Sequence, residues 1–429
     1  MSEATAVIPT DSTHGDFPDG WELRPLDAIS DVRLGRQRSP KNHSGDQMRP
    51  YLRAANVTWT GLSLNDVAEM NFTDEEMATY LVEPGDILVN EASGSPAEVG
   101  KAAVFRGEID GCAFQNTLIR IRPHSICGGY LHQFLLRTAI TGGYLEDSRG
   151  VGIFHLGKTK LAAWPIPVPP VAEQERIVEI LEEQLSRLDA ALESVRVVRK
   201  KAAQFRRSLL HAAFTGILTG QDRNDWGIQP LGELASISYG YTESASDLPI
   251  GPKFLRITDL RTGGVSWGDV PFCAITETAL EKQRLSDRDI VFARTGATTG
   301  KSFLVKDPPE AVAASYLIRL RPNVDLVEPE YLDFFFQSDE YWAQIYGGIA
   351  GTAQGGFNAT KLSALLAPIP PLAEQERIVE ILEEQLSRLD AALAVADGVE
   401  KRSAALRRSL LHAAFTGRLT EQWREQTNV

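Results

Sequence analysis

Residues 172–192 read AEQERIVEILEEQLSRLDAAL, and residues 373–393 read the same, letter for letter, 201 positions later. A second identity, RRSLLHAAFTG, occupies 206–216 and returns at 407–417 with the same offset. Solenoids and propellers repeat every ~20–50 residues, whereas a period of about 200 is a domain plus a connector. The chain is therefore a duplicated domain-and-helix unit. Within the repeat, Ile177, Leu181, Leu185, Leu188, Leu192 and Val195 are spaced by four, four, three, four and three, which sets them on one face of a helix. Ile378, Leu382, Leu386, Leu389 and Leu393 stand at the same places in the second copy. This is a coiled-coil seam.

No proline or glycine interrupts 171–214, so the first helix can run to roughly 65 Å at about 1.5 Å per residue. Such a rod needs a partner to bury its seam, and charge indicates which. Residues 172–193 hold seven acidic side chains against two basic ones, while 194–216 hold six basic and no acidic ones. The second copy shows the same trend, blurred by Asp397 and Glu400. Acid first and base last complements the helix dipole, and laying the two helices antiparallel sets acidic halves against basic halves. A solvated charged face on an ordinary amphipathic helix is the plainer alternative.

The 429 residues are 43% apolar and 24% charged, enough for two cores of ordinary globular composition. A formal charge of −13 argues against unspecific polyanion binding but leaves room for a local basic groove. Three cysteines, Cys112, Cys127 and Cys273, fit a reducing cytoplasm better than a disulfide framework. No signal-like pattern opens the sequence and no apolar run approaches membrane length, so a cytoplasmic protein is expected.

The expected organisation is a first domain over 1–170, a helical region over 171–219, a second domain over 220–371 and a second helical region over 372–429. In the first domain, DILV (86–89), AAVF (102–105) and LIRIRP (118–123) read as strands, and 73–82 and 130–140 as helices. The proline-rich WPIPVPP (164–170) forces extended backbone before the long helix. Gly216 and Gly220 suit its end. The second domain repeats the first in order: WELRPL (21–26) answers to WGIQPL (226–231), YLRAANV (51–57) to FLRITDL (254–260), and LIRIRP to LIRLRP (317–322). What differs is the loops between. Near-identical helices carrying divergent domains suggest one shared partner and two different targets.

These features together resemble the specificity subunit of Type I restriction-modification systems. The residues that carry the resemblance are Pro169-Pro170 with Glu173-Gln174, Pro370-Pro371 with Glu374-Gln375, and AFTG at 213–216 and 414–417. It implies an α+β fold with a pseudo-two-fold internal repeat, two mixed α/β target recognition domains separated by two long antiparallel coiled-coil helices. It implies a non-catalytic subunit that reads a bipartite target in double-stranded DNA, one half-site per domain. It also implies two adenine-methyltransferase subunits docked on the helices and restriction/translocase subunits beyond them. No cofactor is expected in this chain; S-adenosylmethionine, ATP and Mg are implied for the partner subunits.

Several motifs mislead. GATTGKS (296–302) has three residues between its glycines where a phosphate-binding loop needs four, and the counterpart from Gly94 to Gly100 has five. Both read better as polar hairpins whose lysine, Lys101 or Lys301, faces phosphate. DPPE (307–310) looks like the D-P-P-aromatic motif of amino-methyltransferases, but Glu310 cannot stack on a flipped base. His124, His132, Cys112 and Cys127 lack metal-ligand spacing.

For DNA contact, the arginine-rich loop with Arg33, Arg36, Arg38, Lys41 and Arg49 is the first candidate, since arginine reaches guanine edges and phosphates. The equivalent loop has Tyr239, Tyr241 and Thr242, suited to apolar or hydroxyl contacts. Ser93, Ser95, Arg294, Thr295 and Thr298 follow, with Lys158, Gln354 and Asn358 ahead of the paired Lys-Leu dipeptides at 160–161 and 361–362. Two rivals stand against this reading: a coiled-coil adaptor that binds protein, and a methyltransferase with an unrecognised cofactor site.

Overall fold

The computed structural model describes residues 17–93, 95, 98–145, 154–261, 264–349 and 357–427. The polar stretch 1–16 and Gln354 lie outside these. Two long helices, Val171–Phe214 of 44 residues and Leu372–Ala414 of 43, run through the chain. The second continues through Gly398. Two compact units result, Met1–Ser194 with Val399–Val429, and Val195–Gly398. Each unit therefore holds one domain, the first half of the helix attached to one end of it, and the second half of the other helix.

In the first unit an antiparallel sheet has the order Ser30–Leu34, Leu118–Pro123, Ile87–Asn90, Ala102–Val104. The second unit repeats it with Ala235–Tyr239, Leu317–Pro322, Ile290–Ala293 and Ser302–Leu304. Both faces are covered, which is why these strands read as continuous apolar runs and not as alternation. In the first unit Val32, Ile87, Val89, Ile119 and Ile121 face the helices, while Leu88, Ala103 and Leu118 face a smaller sheet region. The arginines of LIRIRP are the exceptions, and each is held by acidic and carbonyl partners. Arg120 donates to the Leu81 carbonyl at 2.8 Å and to Asp31 at 2.7 Å, and Arg122 grips Asp86. The predicted helices are Asp74–Tyr80 and Gly128–Ile140.

The proline strap is a strand. Glu22–Pro25 pairs antiparallel with Pro165–Val168, and Gly227–Pro230 with Leu366–Ile369. The next residues explain why the repeated motif contains glutamine. Gln174 donates to the Pro169 carbonyl at 2.8 Å and accepts the Cys127 amide at 2.8 Å; Gln375 does the same with Pro370 and Glu328, again at 2.8 Å each. One buried amide thus ties strap, long helix and the start of a domain helix together, using its donor and acceptor at once.

The phenylalanine-x-glycine ending is equally specific. Phe415 meets the rings of Tyr130 and Phe134 edge-on at 5.3 and 5.2 Å in the first unit. Phe214 meets Tyr331 and Phe335 at 5.3 and 5.5 Å in the second. Gly216 has φ +80°, and a Cβ there would stand 2.3 Å from the Gln221 carbonyl oxygen, so only glycine turns the chain.

Within each unit the half-helices run antiparallel. Asp189 pairs with Arg407 in the first unit, and the same two positions, Asp390 and Arg206, approach to 3.7 Å in the second, where Asp397 also accepts from Arg199 at 2.6 Å. The seam does more than join the two helices. Ile177, Leu181 and Leu185 join a core built from the first domain as well as Leu411, Ala414 and Phe415. Ile378, Leu382 and Leu386 likewise share a core with Leu209, Leu210, Phe214 and the second domain. Leu188 and Leu389 are partly buried against these cores, and Leu192 and Leu393 are half-buried. Helix seam and domain core are one hydrophobic body in each unit.

Candidate nucleic-acid interface

The central sheet delivers one strand end in each unit to an exposed rim. Glu91 follows the strand Ile87–Asn90, and Arg294 follows Ile290–Ala293. The Glu91 amide donates to the Thr117 carbonyl at 3.0 Å, and its own carbonyl accepts the Leu156 amide at 2.8 Å. Arg294 makes the equivalent bonds with Tyr316 at 3.2 Å and Phe357 at 2.9 Å. The backbones correspond while the side chains have opposite charge. Glu91 is held by the His155 ring nitrogen Nδ1, 3.2 and 3.3 Å from its two oxygens. The Arg294 guanidinium lies 4.8 Å over the Tyr239 ring, a cation–π contact that presets its direction.

The second unit brings three of the sequence candidates together at this rim. Tyr239 stands under Arg294 and its hydroxyl accepts the Ala359 amide at 3.1 Å. Asn358 caps the helix Ala359–Ser363 by accepting the Lys361 amide at 2.8 Å. Thr295 and Thr298 flank the short turn Gly296–Thr298 beyond Arg294. Tyr241 is instead half-buried beside Phe254 and Val312, and Thr242 is exposed. In the first unit the two-residue strand Ala92–Ser93 pairs with Phe154–His155, Lys158 is exposed at the start of the helix Lys158–Ala162, and Ser95 is exposed.

The arginine-rich loop does not form one basic surface. Arg36 is 2.6 Å from Glu76, donates to the Asn71 carbonyl and stacks on Phe72, leaving its side chain 14% exposed. Arg49 reaches Asp74 at 3.1 Å. Both reach the acidic first turn of the helix Asp74–Tyr80, Arg36 in a sheltered pair and Arg49 in an exposed one. Arg33 is half-buried near Asp31 at 3.8 Å, Arg38 donates to His43 at 3.0 Å, and Lys41 is exposed. Lys101, expected to face phosphate, is instead buried, ion-paired with Glu98 and 5.6 Å over Trp59. Its counterpart Lys301 is exposed and borders a cavity of about 960 Å³ with Trp267, Trp342 and Arg206.

The glycine-rich stretch 296–302 runs through a short turn into the strand Ser302–Leu304, not into a helix, so it lacks the helix N-terminus that a phosphate-binding loop requires. Among the described residues no three metal-ligating side chains cluster and no helix is long and apolar enough to cross a membrane. Sequence reading missed Glu91 and His155. Their signal was available only through the equivalence of Glu91 with Arg294, which the divergent loops conceal.

The family model for the Type I restriction modification DNA specificity domain matches residues 18–194 and again 223–393. The chain belongs to that family. Relatives in it include the Type I restriction enzyme EcoKI specificity subunit of Escherichia coli K12, 26% identical, with 96% of this chain and 92% of that one covered. The StySPI specificity subunit of Salmonella potsdam is 25% identical over the same shares. The fold is that of solved specificity subunits: the HsdS subunit of Thermoanaerobacter tengcongensis superposes with a TM-score of 0.56 at 20% identity, covering 94% of this chain and 99% of that one. A chain from a structure addressing assembly and conformational transition of the type I R-M system gives 0.70 at 18%, covering 94% and 100%. Each family match takes in one domain and the first half of the long helix that follows it, so the duplication lies within the specificity fold itself.

Proposed function

We propose that this chain is the DNA-reading, non-catalytic subunit of a Type I restriction-modification assembly, with each domain recognising one half of a bipartite target. The observation that carries the reading is the inversion at the rim: Asp86 and Asp289, like Gln174 and Gln375, keep residue and partner in both units, but at the end of the central strand one presents Glu91 and the other Arg294. Two different readers on one scaffold suit an asymmetric sequence with two separate halves. Methyl transfer and cleavage belong in this reading to partner subunits, which would bring S-adenosylmethionine, ATP and Mg.

The helices support the partner reading. Their identical stretches repeat the same outward residues, the exposed pairs Glu183 with Arg187 and Glu384 with Arg388 among them. A surface present twice takes two copies of its partner, here the adenine-methyltransferase subunits. Restriction/translocase subunits would join that complex, and the site of action would be the cytoplasm, where the DNA is. The test is to express the chain with its methyltransferase and sequence modified adenines. A single bipartite motif supports the reading; no motif, or no DNA selectivity at any salt, supports the protein-binding adaptor instead.

A further inference from the structure

The rim position differs from the repeated contacts that hold strap, strand and domain helix together. Asp86 and Asp289, Arg122 and Arg321, Gln174 and Gln375, and Tyr130 and Tyr331 each keep residue and partner in both units. Glu91 and Arg294 keep the backbone bonds and exchange acid for base. The exchange of Asp333 for His132 lies mostly buried within each unit, whereas this one stands at a strand end beside an open histidine ring. A reading position gains a different base.

We infer that Glu91, oriented by His155, and Arg294, oriented by Tyr239, are the specificity-determining side chains at one equivalent position of each half-site; this rests on the DNA-reading function proposed above. An ionised carboxylate only accepts hydrogen bonds and a guanidinium only donates. Glu91 therefore takes a base that presents an amino donor in the major groove, cytosine above all, and Arg294 takes guanine through its O6 and N7 acceptors. Phosphate is excluded for Glu91 because both groups are anionic.

The geometry fits side chains held ready for a ligand. The Glu91 side chain is 15% exposed and His155 beside it 58%, so the carboxylate is sheltered at the edge of an open ring. Arg294 makes one long hydrogen bond, 3.4 Å to the Ser315 carbonyl, and its Nε is buried without a partner among the described residues. An unspent guanidinium already flattened on an aromatic ring loses little freedom when it meets a base edge.

The experiment is selection from a pool of duplexes randomised in both halves, using the full chain in its methyltransferase complex. Wild type, Glu91→Gln and Arg294→Gln are compared. Glutamine suits adenine, so each variant should shift one base position of one half-site toward adenine, about tenfold relative to the original base, and leave the other half unchanged. The unchanged half doubles as a control for folding. The inference is overturned if either variant selects the wild-type motif, if Arg294→Gln weakens all sequences equally with a shallower salt dependence, as a phosphate contact would, or if both halves change together. A wild-type complex that selects no motif overturns the DNA-reading function along with it.

Discussion

Arg122 donates two hydrogen bonds, 2.7 and 2.8 Å long, to Asp86, whose side chain is 1% exposed. Asp86 also accepts the Glu83 amide at 2.8 Å, so one carboxylate fixes both the turn into its strand and the neighbouring strand. Arg321 and Asp289 repeat this at 2.8 Å for each bond, with the Ser286 amide in place of Glu83. Asp86→Asn should cost about 2–4 kcal/mol, near the lower end for breaking a buried pair because the arginine remains partly solvated. The shift of the denaturation midpoint measures it. Asp289→Asn should cost a similar amount.

The two copies of the glutamate-glutamine pair should not respond alike. Glu173 accepts from Trp21 at 2.9 Å, from Thr420 at 2.6 Å and from Arg424. In the second unit the residue equivalent to Arg424 is Arg223, which reaches Glu340 at 2.6 Å instead, and Glu374 Oε1 and Thr219 Oγ1 are left without partners among the described residues. Glu173→Gln should destabilise by roughly 3–5 kcal/mol, the cost of stripping one partner from a buried ion pair. Glu374→Gln should be near neutral. Comparing the two melting temperatures checks this, and equal losses would show that the identical letters do identical work.

How much of this was readable beforehand depended on whether a residue's role is local or long-range. The long helices, the strands at 86–89 and 118–123 and the strap were legible because periodicity, proline and apolar runs act over a few neighbours. The doubled sequence disclosed the antiparallel halves through charge. Glu98 stands three positions before Lys101 and was in view, but Glu76, forty positions after Arg36, comes within its reach only on folding. The merging of helix seam with domain core was hidden for the same reason: Phe415 finds Tyr130 across 285 positions of chain.

Burial gives one pair of equivalent positions opposite responses to acid. The Asp333 carboxyl is pushed up to about 6 by burial, so the folded state holds its proton over a range where the unfolded chain has lost it. Stability from this group is present at low pH and falls as pH rises between about 4 and 6. At the equivalent position His132 is buried beside the Ala102 carbonyl and held below the usual imidazole value by desolvation. The unfolded chain then binds more protons, and stability from this group rises with pH toward about 6.5. Asp333→Asn should raise stability at pH 7 and flatten the first slope, while His132→Gln should flatten the second. Denaturation midpoints from pH 4 to 8 measure both.

The seam and its ion pairs should separate cleanly. Leu181 and Leu382 are fully buried, and truncating either to alanine should cost about 2–5 kcal/mol through lost burial and a residual cavity. The side chain of Asp189 is 62% exposed in its pair with Arg407, and an exposed pair contributes about 1 kcal/mol or less. Asp189→Ala should therefore leave the denaturation midpoint nearly unchanged, while Leu181→Ala lowers it.

One measurement tests the central claim, that two recognition domains on a shared scaffold read separate halves of one target. Residues 226–365 are exchanged for the second domain of another member of the family, and modified adenines are sequenced in cells carrying the complete system. A motif changed in one half and intact in the other is the predicted result. A motif changed in both halves, or in neither, would contradict it.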